Sequence, residues 1–159
     1  FAAGFVSTSQ GMKYQWGSGD YCTNNWVNYK NHWFFFGADQ IMRTGWIQKD
    51  GKWWAFGSDG YLKTGWVFDG ASGKWYLLNE KTGMQIGLYY DESGRFWYYL
   101  DPASGAMLTG WQFINGKWYY LSKTSGAVPL GSMYKETRTP DGYYVDKDGA
   151  WDGLEAKEN

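Results

Sequence analysis

The sequence predicts an all-β fold, a solenoid of about six stacked β-hairpins, from two repeated features. The first is a set of glycines that recur at intervals of about 20 to 23 residues, namely Gly45, Gly65, Gly87, Gly110, Gly131 and Gly153. The second is a glycine turn followed by an aromatic strand, as in Trp53-Trp54, Trp75-Tyr76, Trp97-Tyr98-Tyr99, Trp118-Tyr119-Tyr120 and Tyr143-Tyr144. A hairpin of this length cannot bury its own apolar face, so the units are expected to stack.

The segment 110–131 shows how one unit is built. Residues 111–114 and 118–121 are rich in aromatic and branched side chains, which favours two strands. Asn115-Gly116 lies between them, and this pair is a strong signal for a two-residue hairpin turn. A second turn at 124–126 and a short apolar linker complete the unit.

The chain divides into three parts. Residues 1–25 lack a clear period and are predicted to be a degenerate repeat or an N-terminal cap, since terminal repeats are often atypical. Residues 26–153 are predicted to be tandem repeats, and Trp26 precedes Trp33 by the same interval that separates Trp111 from Trp118. Residues 154–159 form a charged tail. The start at Phe1, without a signal segment, is expected of a processed or excised fragment.

Composition argues against several functions. The 159 residues carry a net charge of -1 with no basic stripe, so no nucleic acid partner is expected. No apolar run is long enough to cross a bilayer, so membrane insertion is not expected. Cys22 is the only cysteine and does not combine with the lone His32 into a zinc set; it is predicted to be a buried structural thiol.

No catalytic motif is visible in the sequence. Most acidic residues fall in turns, where hydrogen bonds to the local backbone explain them, as for Asp50, Asp59, Asp69, Asp91 and Asp148. A Ser-His-Asp set, a phosphate-binding loop and metal-ligand spacings are all missing. The chain is therefore predicted not to be an enzyme and to need no cofactor or metal.

The aromatic clusters remain, and they have two interpretations. Trp and Tyr are either the packing material of a thin solenoid or, where three rings meet, the walls of an open box. Such a box suits a quaternary ammonium, which has no N–H to donate and binds to π-faces.

The strings GWIQKDGKWWAF and GKWYYLSKTSG and the TGW linkers resemble the choline-binding repeats of surface proteins and murein hydrolases of pneumococcus, its phages and related bacteria. The resemblance covers roughly residues 26 to 153. It implies a hairpin solenoid that binds choline or phosphocholine on teichoic and lipoteichoic acids. It also implies a secreted protein held non-covalently on the cell wall.

The resemblance also implies site residues, because a family site takes two tryptophans from one hairpin and a tyrosine from the next. Two sets are complete: Trp66, Trp75 and Tyr99, and then Trp111, Trp118 and Tyr144. Alternation along the strand favours these tyrosines, with Tyr98 and Tyr143 as the alternatives. The joint of Trp26 and Trp33 is expected to face Ala55. Weaker or modified sites are expected from Trp26, Trp33, Trp46, Trp53, Trp97, Tyr120, Tyr90, Met84 and Met107.

Two other functions stay open. A carbohydrate-binding repeat of the glucan or toxin type needs polar side chains beside the rings, and Gln48 and Gln112 are the nearest candidates. An interaction protein whose joints have lost the ligand is the third hypothesis. A homodimer through an end of the array is a further expectation, since an uncapped end exposes apolar surface.

Overall fold

A computed structural model describes residues 2–157, so Phe1 and the last two residues of the predicted tail lie outside the described residues. Within that range the chain forms strands and no helix, which confirms the all-β prediction. No helix long and apolar enough to cross a bilayer is found among these residues. The strands are β1 Gly4–Thr8, β2 Gly11–Gln15, β3 Asn25–Tyr29, β4 His32–Phe36, β5 Gly45–Lys49, β6 Lys52–Phe56, β7 Gly65–Asp69, β8 Lys74–Asn79, β9 Gly83–Met84, β10 Gly87–Asp91, β11 Phe96–Leu100, β12 Gly110–Ile114, β13 Lys117–Leu121, β14 Thr137–Arg138 and β15 Tyr144–Val145.

The strands pair as antiparallel hairpins. In the hairpin of β12 and β13, Trp111 lies opposite Tyr120 and Phe113 lies opposite Trp118. Asn115 and Gly116 join the two strands with φ values of 49° and 85°. A two-residue turn with positive φ at both positions is type I′, whose twist matches that of the flanking strands, and Asn-Gly adopts it readily.

The described chain contains two compact units. The first unit combines Phe1–Val67 with Leu78–Met84, and the second combines Phe68–Leu77 with Gln85–Asn159. In the first unit, Tyr14, Cys22 and Phe36 belong to one buried cluster, against which Phe5 packs. Residues 4–15 thus form a hairpin of their own that packs on the next one. Cys22 is fully buried, as predicted, and burial raises the pKa of its thiol.

A repeated backbone hydrogen bond joins successive hairpins within each unit. The linker that follows one hairpin returns to the second strand of the preceding hairpin, where its N–H donates to a carbonyl oxygen. In the first unit Leu62 N donates to Trp33 O over 2.9 Å. In the second unit Met107, Met133 and Trp151 donate in the same way to Trp75, Trp97 and Trp118, each over 2.8 Å.

In five of the hairpins the last residue of the second strand is an apolar side chain at the centre of the core. Phe36 and Phe56 hold this position in the first unit, and Leu100, Leu121 and Val145 hold it in the second. All five are at most 2% exposed. The linker residue that makes the backbone bond also bridges to this position, as Leu62 does to Phe56. The linker therefore covers the apolar end of the strand.

Gly83 provides a test of how closely the hairpins of the first unit pack. Its φ is +78°, and a Cβ built there would lie 2.9 Å from Trp53 O and 3.3 Å from Trp54 Cε2. We predict that Gly83→Ala destabilises the protein by about 2 to 3 kcal/mol, because positive φ and a clash with backbone act together.

Gly51→Ala is the matched control, since Gly51 has a φ of +76° but open space where a Cβ would stand. This variant should lose only about 1 kcal/mol from its backbone conformation. Chemical denaturation of both variants measures the difference. Equal losses would show that the packing of Trp54 against Gly83 contributes nothing.

Candidate aromatic binding pockets

The second unit contains a pocket lined mainly by aromatic rings, which we call the Trp111 pocket. Its lining residues are Trp111, Trp118, Asp141, Tyr143 and Trp151, and its volume is about 370 Å³. Trp111 comes from β12 and Trp118 from β13, whereas Tyr143 directly precedes β15 of the following hairpin. The pocket is thus assembled from two hairpins that the Trp151 backbone bond holds together.

Tyr143 stands at nearly a right angle to two other rings of the Trp111 pocket. Trp111 and Tyr143 have centroids 5.7 Å apart and an interplanar angle of 90°, and Tyr143 and Trp151 are 6.0 Å apart at 85°. Trp118 is 42% exposed, so the pocket opens to solvent along this ring. The indole N–H of Trp151 donates to Leu154 O over 3.0 Å, which fixes the orientation of that wall.

Asp141 brings a negative charge to the rim of the Trp111 pocket. Its Oδ2 accepts a 2.8 Å hydrogen bond from Trp111 Nε1, and its Oδ1 accepts one from the Thr139 hydroxyl. The small part of Asp141 that is shielded from water would by itself raise the pKa of its carboxyl. The bonds from Thr139 and Trp111, together with the charge of Lys123, outweigh burial and hold the pKa below its ordinary value.

The first unit contains a second pocket of the same kind, the Trp26 pocket. Its volume is about 460 Å³, and it is lined by Trp26, Trp33, Trp54, Leu62, Glu80 and Lys81. Trp26 and Trp33 are 6.3 Å apart at 88°, and Trp26 and Trp54 are 5.0 Å apart at 68°. A carboxylate again contacts a pocket ring, because Glu80 Oε1 accepts a 2.7 Å bond from Trp33 Nε1.

The two pockets use the same positions of the repeat. In each, a tryptophan of the first strand and a tryptophan of the second strand come from one hairpin. The third ring comes from the next hairpin, and the linker residue that donates the backbone bond, Leu62 or Trp151, forms a further wall. The residues that join the hairpins are therefore also residues that line the pockets.

The third ring differs from the residue that strand alternation favoured. Tyr143 lines the Trp111 pocket, while Tyr144 pairs with Arg138, whose guanidinium carbon lies 5.7 Å from the Tyr144 ring centroid. In the Trp26 pocket the third ring is Trp54, and the neighbouring Ala55 is not among the lining residues.

Tyr143 and Trp54 line the pockets in place of their neighbours Tyr144 and Ala55 because the two faces of a packed hairpin have different neighbours. The face that carries Trp46 and Trp53 points away from the preceding hairpin, so the preceding hairpin meets the opposite face. Trp54 lies on that opposite face, because it is opposite Ile47 in the register and alternates with Trp53. The assignment of these residues to choline stays a prediction.

The other predicted set of site residues, Trp66, Trp75 and Tyr99, has members in both units. Trp66 lies on β7 in the first unit, and Trp75 and Tyr99 lie on β8 and β11 in the second. Phe68 packs on Trp75 with centroids 5.2 Å apart. Tyr99 O accepts a bond from Leu108 N.

The residues predicted for weaker sites lie in several environments. Tyr120 is 5% exposed and packs edge-on against Trp111 and Tyr134, and burial, with the charge of Asp141, raises its pKa. Tyr90 and Trp97 face each other across β10 and β11 with centroids 5.1 Å apart. Met84 pairs with Leu78, Met107 bonds to Trp75 O, and Trp46 and Trp53 lie on β5 and β6.

The sequence analysis did not predict several of the residues that line the pockets. Trp54 and Trp151 were detectable in principle, since they occupy repeat positions that a strict alignment of units would have matched. Glu80, Lys81 and Asp141 come from turns and loops, where no period predicts which side chain reaches a ring.

Within residues 2–157, no group of three His, Cys, Asp or Glu side chains is placed to hold a metal ion. His32 stacks on Tyr61 at 3.7 Å.

The fold and the pockets define a hairpin-repeat protein with solvent-accessible aromatic pockets. The sequence model of the choline-binding repeat matches residues 93–130, and that of a cell wall binding repeat matches 44–62 and 64–81. The resemblance drawn from the sequence is confirmed: the chain carries choline-binding repeats. No curated protein sequence matches the chain.

Solved structures give the same result. Choline-binding protein F from Streptococcus pneumoniae is 37% identical, with a TM-score of 0.79 over 94% of this chain and 47% of its own. CbpJ from the same species is 35% identical, with a TM-score of 0.79 over 94% of this chain and 48% of its own. The autolysin LytC, at 22% identity and a TM-score of 0.64 over 98% of this chain and 39% of its own, shares the fold. The chain therefore spans about half the length of the first two structures.

Asp141 gives the Trp111 pocket a pH dependence with a defined sign. Because its pKa is lowered by folding, the stability that it contributes is present above the unfolded value of about 3.9 and is lost as the pH falls through the folded pKa. We predict that Asp141→Asn is less stable than the parent at pH 7, by less than about 1 kcal/mol since the carboxylate is exposed.

Thermal unfolding of both proteins between pH 2 and pH 7 measures this difference. The two melting temperatures should converge at the acidic end, where the parent carboxyl is protonated. A difference that stays constant over the whole range would contradict the assigned role of the Asp141 charge.

Proposed function

We propose that this chain is a non-catalytic module that attaches to the bacterial cell wall by binding choline in its aromatic pockets. The observation that supports the proposal is the arrangement of the Trp111 pocket, where rings at right angles surround an open space bordered by a carboxylate. A trimethylammonium head presents methyl groups in every direction. Perpendicular π-faces contact such a head from several sides at once.

The affinity expected of one pocket for choline is low. Each ring contributes about 0.5 to 2 kcal/mol to a bound cation, depending on desolvation, so three rings give about 2 to 6 kcal/mol. Association opposes this with at least about 4 kcal/mol. The ring contacts therefore exceed this cost by about 2 kcal/mol at most. Burial of the methyl groups has to supply a few kcal/mol more for a net value of about −4 kcal/mol, which is a dissociation constant near 1 mM.

With such a low affinity per pocket, attachment to the cell wall requires several pockets to bind the same polymer. Each of the two units has a pocket with the same design, and a polymer that carries many choline groups engages both at a high effective concentration. Teichoic and lipoteichoic acids bearing phosphocholine have this chemistry. We therefore place the protein outside the cell, bound non-covalently to the wall.

Two structures of a relative support the proposal through the compounds that were added to them. A structure of choline-binding protein F, 35% identical to this chain with a TM-score of 0.76, contains ipratropium, which carries a quaternary ammonium. Another, 37% identical, was obtained in the presence of a peptidoglycan analogue. The first structure supports a cationic ligand and the second supports a ligand of the cell wall.

A carbohydrate-binding module is the second candidate, and the pocket linings give a reason to test it. Glu80 and Lys81 in one pocket and Asp141 in the other are polar side chains next to aromatic rings, which is the combination that sugar sites use. Right-angled rings are less suited to a sugar, which stacks its flat face on a single ring. Choline is therefore the better supported ligand.

Two adjacent tyrosines test the choline pocket directly. We predict that Tyr143→Ala weakens choline binding at the Trp111 pocket by about 3- to 30-fold, the value of one lost ring. Tyr144→Ala is the matched control and should leave choline affinity unchanged, because this ring lies beside Arg138. Calorimetry and tryptophan fluorescence, with glucan oligosaccharides as a parallel titration, give the affinities.

The outcomes separate the candidates. If choline binding saturates and only Tyr143→Ala weakens it, the result supports the assignment of choline to the Trp111 pocket. Saturation by the oligosaccharide without a response to choline would replace the choline proposal by the carbohydrate one. An equal effect of both tyrosine variants would mean that the affinity change comes from general destabilisation.

Attachment to the wall gives a second prediction at the level of the whole chain. The protein should sediment with cell walls whose teichoic acids carry choline and should be released by free choline at concentrations of the order of 10 mM, above the dissociation constant of one site. Walls from cells grown with ethanolamine in place of choline are the control. Equal retention by both kinds of wall, unaffected by free choline, would rule out choline-dependent attachment.

A further inference from the structure

An exposed segment, residues 152–157, connects one wall of the Trp111 pocket to the backbone of another. It follows Trp151, whose indole N–H donates to Leu154 O over 3.0 Å. It then reaches Gly142, where Lys157 N donates to Gly142 O, also over 3.0 Å. Every residue of the segment is exposed, and none belongs to a strand. The segment therefore buries no side chain of its own, and core packing does not explain why it lies against Gly142.

Gly142 joins two residues that line the pocket, Asp141 and Tyr143. Its carbonyl oxygen accepts two hydrogen bonds, one from Lys157 N and one from Arg138 Nη1, each over 3.0 Å. A carbonyl oxygen has two lone pairs, so its bonding capacity is filled. The φ of Gly142 is +92°, and a Cβ built there would overlap the carbonyl oxygen of Lys157. The two backbones thus approach so closely that this position requires glycine.

The Trp26 pocket holds its third ring in another way. Trp54 lies in the middle of β6 and is opposite Ile47 of β5, so the ladder of a complete hairpin fixes its backbone. Tyr143 lies outside the two-residue strand β15, and its N–H and C=O both bond to Thr139. This loop constrains a ring less firmly than a five-residue strand does. The two bonds to the carbonyl of Gly142 supply a further constraint, directly before Tyr143.

We infer that residues 152–157 act as a strap that positions Tyr143 for ligand binding, through the hydrogen bond from Lys157 N to Gly142 O. This role rests on the proposed choline function and adds to it residues that do not line the pocket. While the strap is attached, the Tyr143 ring keeps its place beside Trp111 and Trp151. When the strap detaches, Gly142 loses one of its two bonds, and the pocket with the loosened wall binds the cation less tightly.

The strap and the ligand are then thermodynamically linked. If the attached strap raises the affinity for choline by a given factor, bound choline favours the attached strap by the same factor. A segment with a purely structural role would stabilise the fold without responding to choline. Exchange of the Lys157 amide hydrogen with solvent requires its bond to Gly142 to break, so the exchange rate reports this response.

Two substitutions at one position separate the backbone bond from the side chain. Lys157→Pro removes the N–H that bonds to Gly142, because proline has no backbone N–H. Lys157→Ala keeps that N–H and removes only the charged side chain, so it is the matched control. A choline titration followed by NMR gives the affinity of each pocket separately, since the indole N–H of Trp111 reports one pocket and that of Trp33 the other. The same spectra give the exchange rate of the Lys157 amide.

Lys157→Pro should weaken choline binding at the Trp111 pocket by about 2- to 10-fold, the range expected of one backbone hydrogen bond, and should leave the Trp26 pocket unchanged. Lys157→Ala should bind choline as the parent does at both pockets. In the parent, saturating choline should slow exchange of the Lys157 amide by a similar factor, about 2 to 10.

Four results would overturn the role of the strap. They are an equal choline affinity in the parent and Lys157→Pro, a loss of the same size in Lys157→Ala, an equal loss at both pockets, and an exchange rate of the Lys157 amide that choline does not alter. The third of these would mean that the substitution destabilises the protein in general. If the parent binds choline at neither pocket, the proposed function fails together with the strap, and that result is distinct from choline binding that is independent of the strap.

Discussion

The backbone hydrogen bond from each linker to the preceding hairpin is the contact on which each unit depends. A two-stranded hairpin is marginal in water, since one face has nothing to cover it. The bond from Leu62 to Trp33, or from Trp151 to Trp118, fixes the distance between neighbouring hairpins. At that distance the ends of the second strands, such as Leu121 and Val145, become fully buried.

The same contact creates the pockets. Leu62 and Trp151 donate the joining bonds through their amides and line the pockets through their side chains. A ligand in either pocket touches residues of two hairpins and so binds the stacked arrangement better than separated ones. Under the proposed function, ligand binding and the stacking of hairpins are therefore linked, since a ligand that binds only the folded arrangement stabilises it.

Much of the fold was predictable because it is periodic. The spacing of glycines and aromatic pairs predicted the hairpins, and Asn115-Gly116 predicted a turn that the φ values confirm. It was harder to predict which face of each strand meets the neighbouring hairpin. Alternation along one strand shows which residues share a side, but only stacking decides which side meets the next hairpin, and this is why Tyr143 rather than Tyr144 lines the pocket. Glu80 and Asp141 lie in segments without a period, so their approach to the rings depends on the loop conformation.

The combination of right-angled rings with a carboxylate favours the proposed choline function over carbohydrate binding. A sugar ring is flat and neutral, so it gains most from one exposed ring face and from several polar groups around its edge. The Trp111 pocket instead offers rings at 90° and 85° and one charge, with Asp141 already bonded to Trp111 and Thr139. A compact cation uses all of these features at once: the π-faces attract its charge, the rings enclose its methyl groups, and the carboxylate adds an attraction that a neutral sugar does not share.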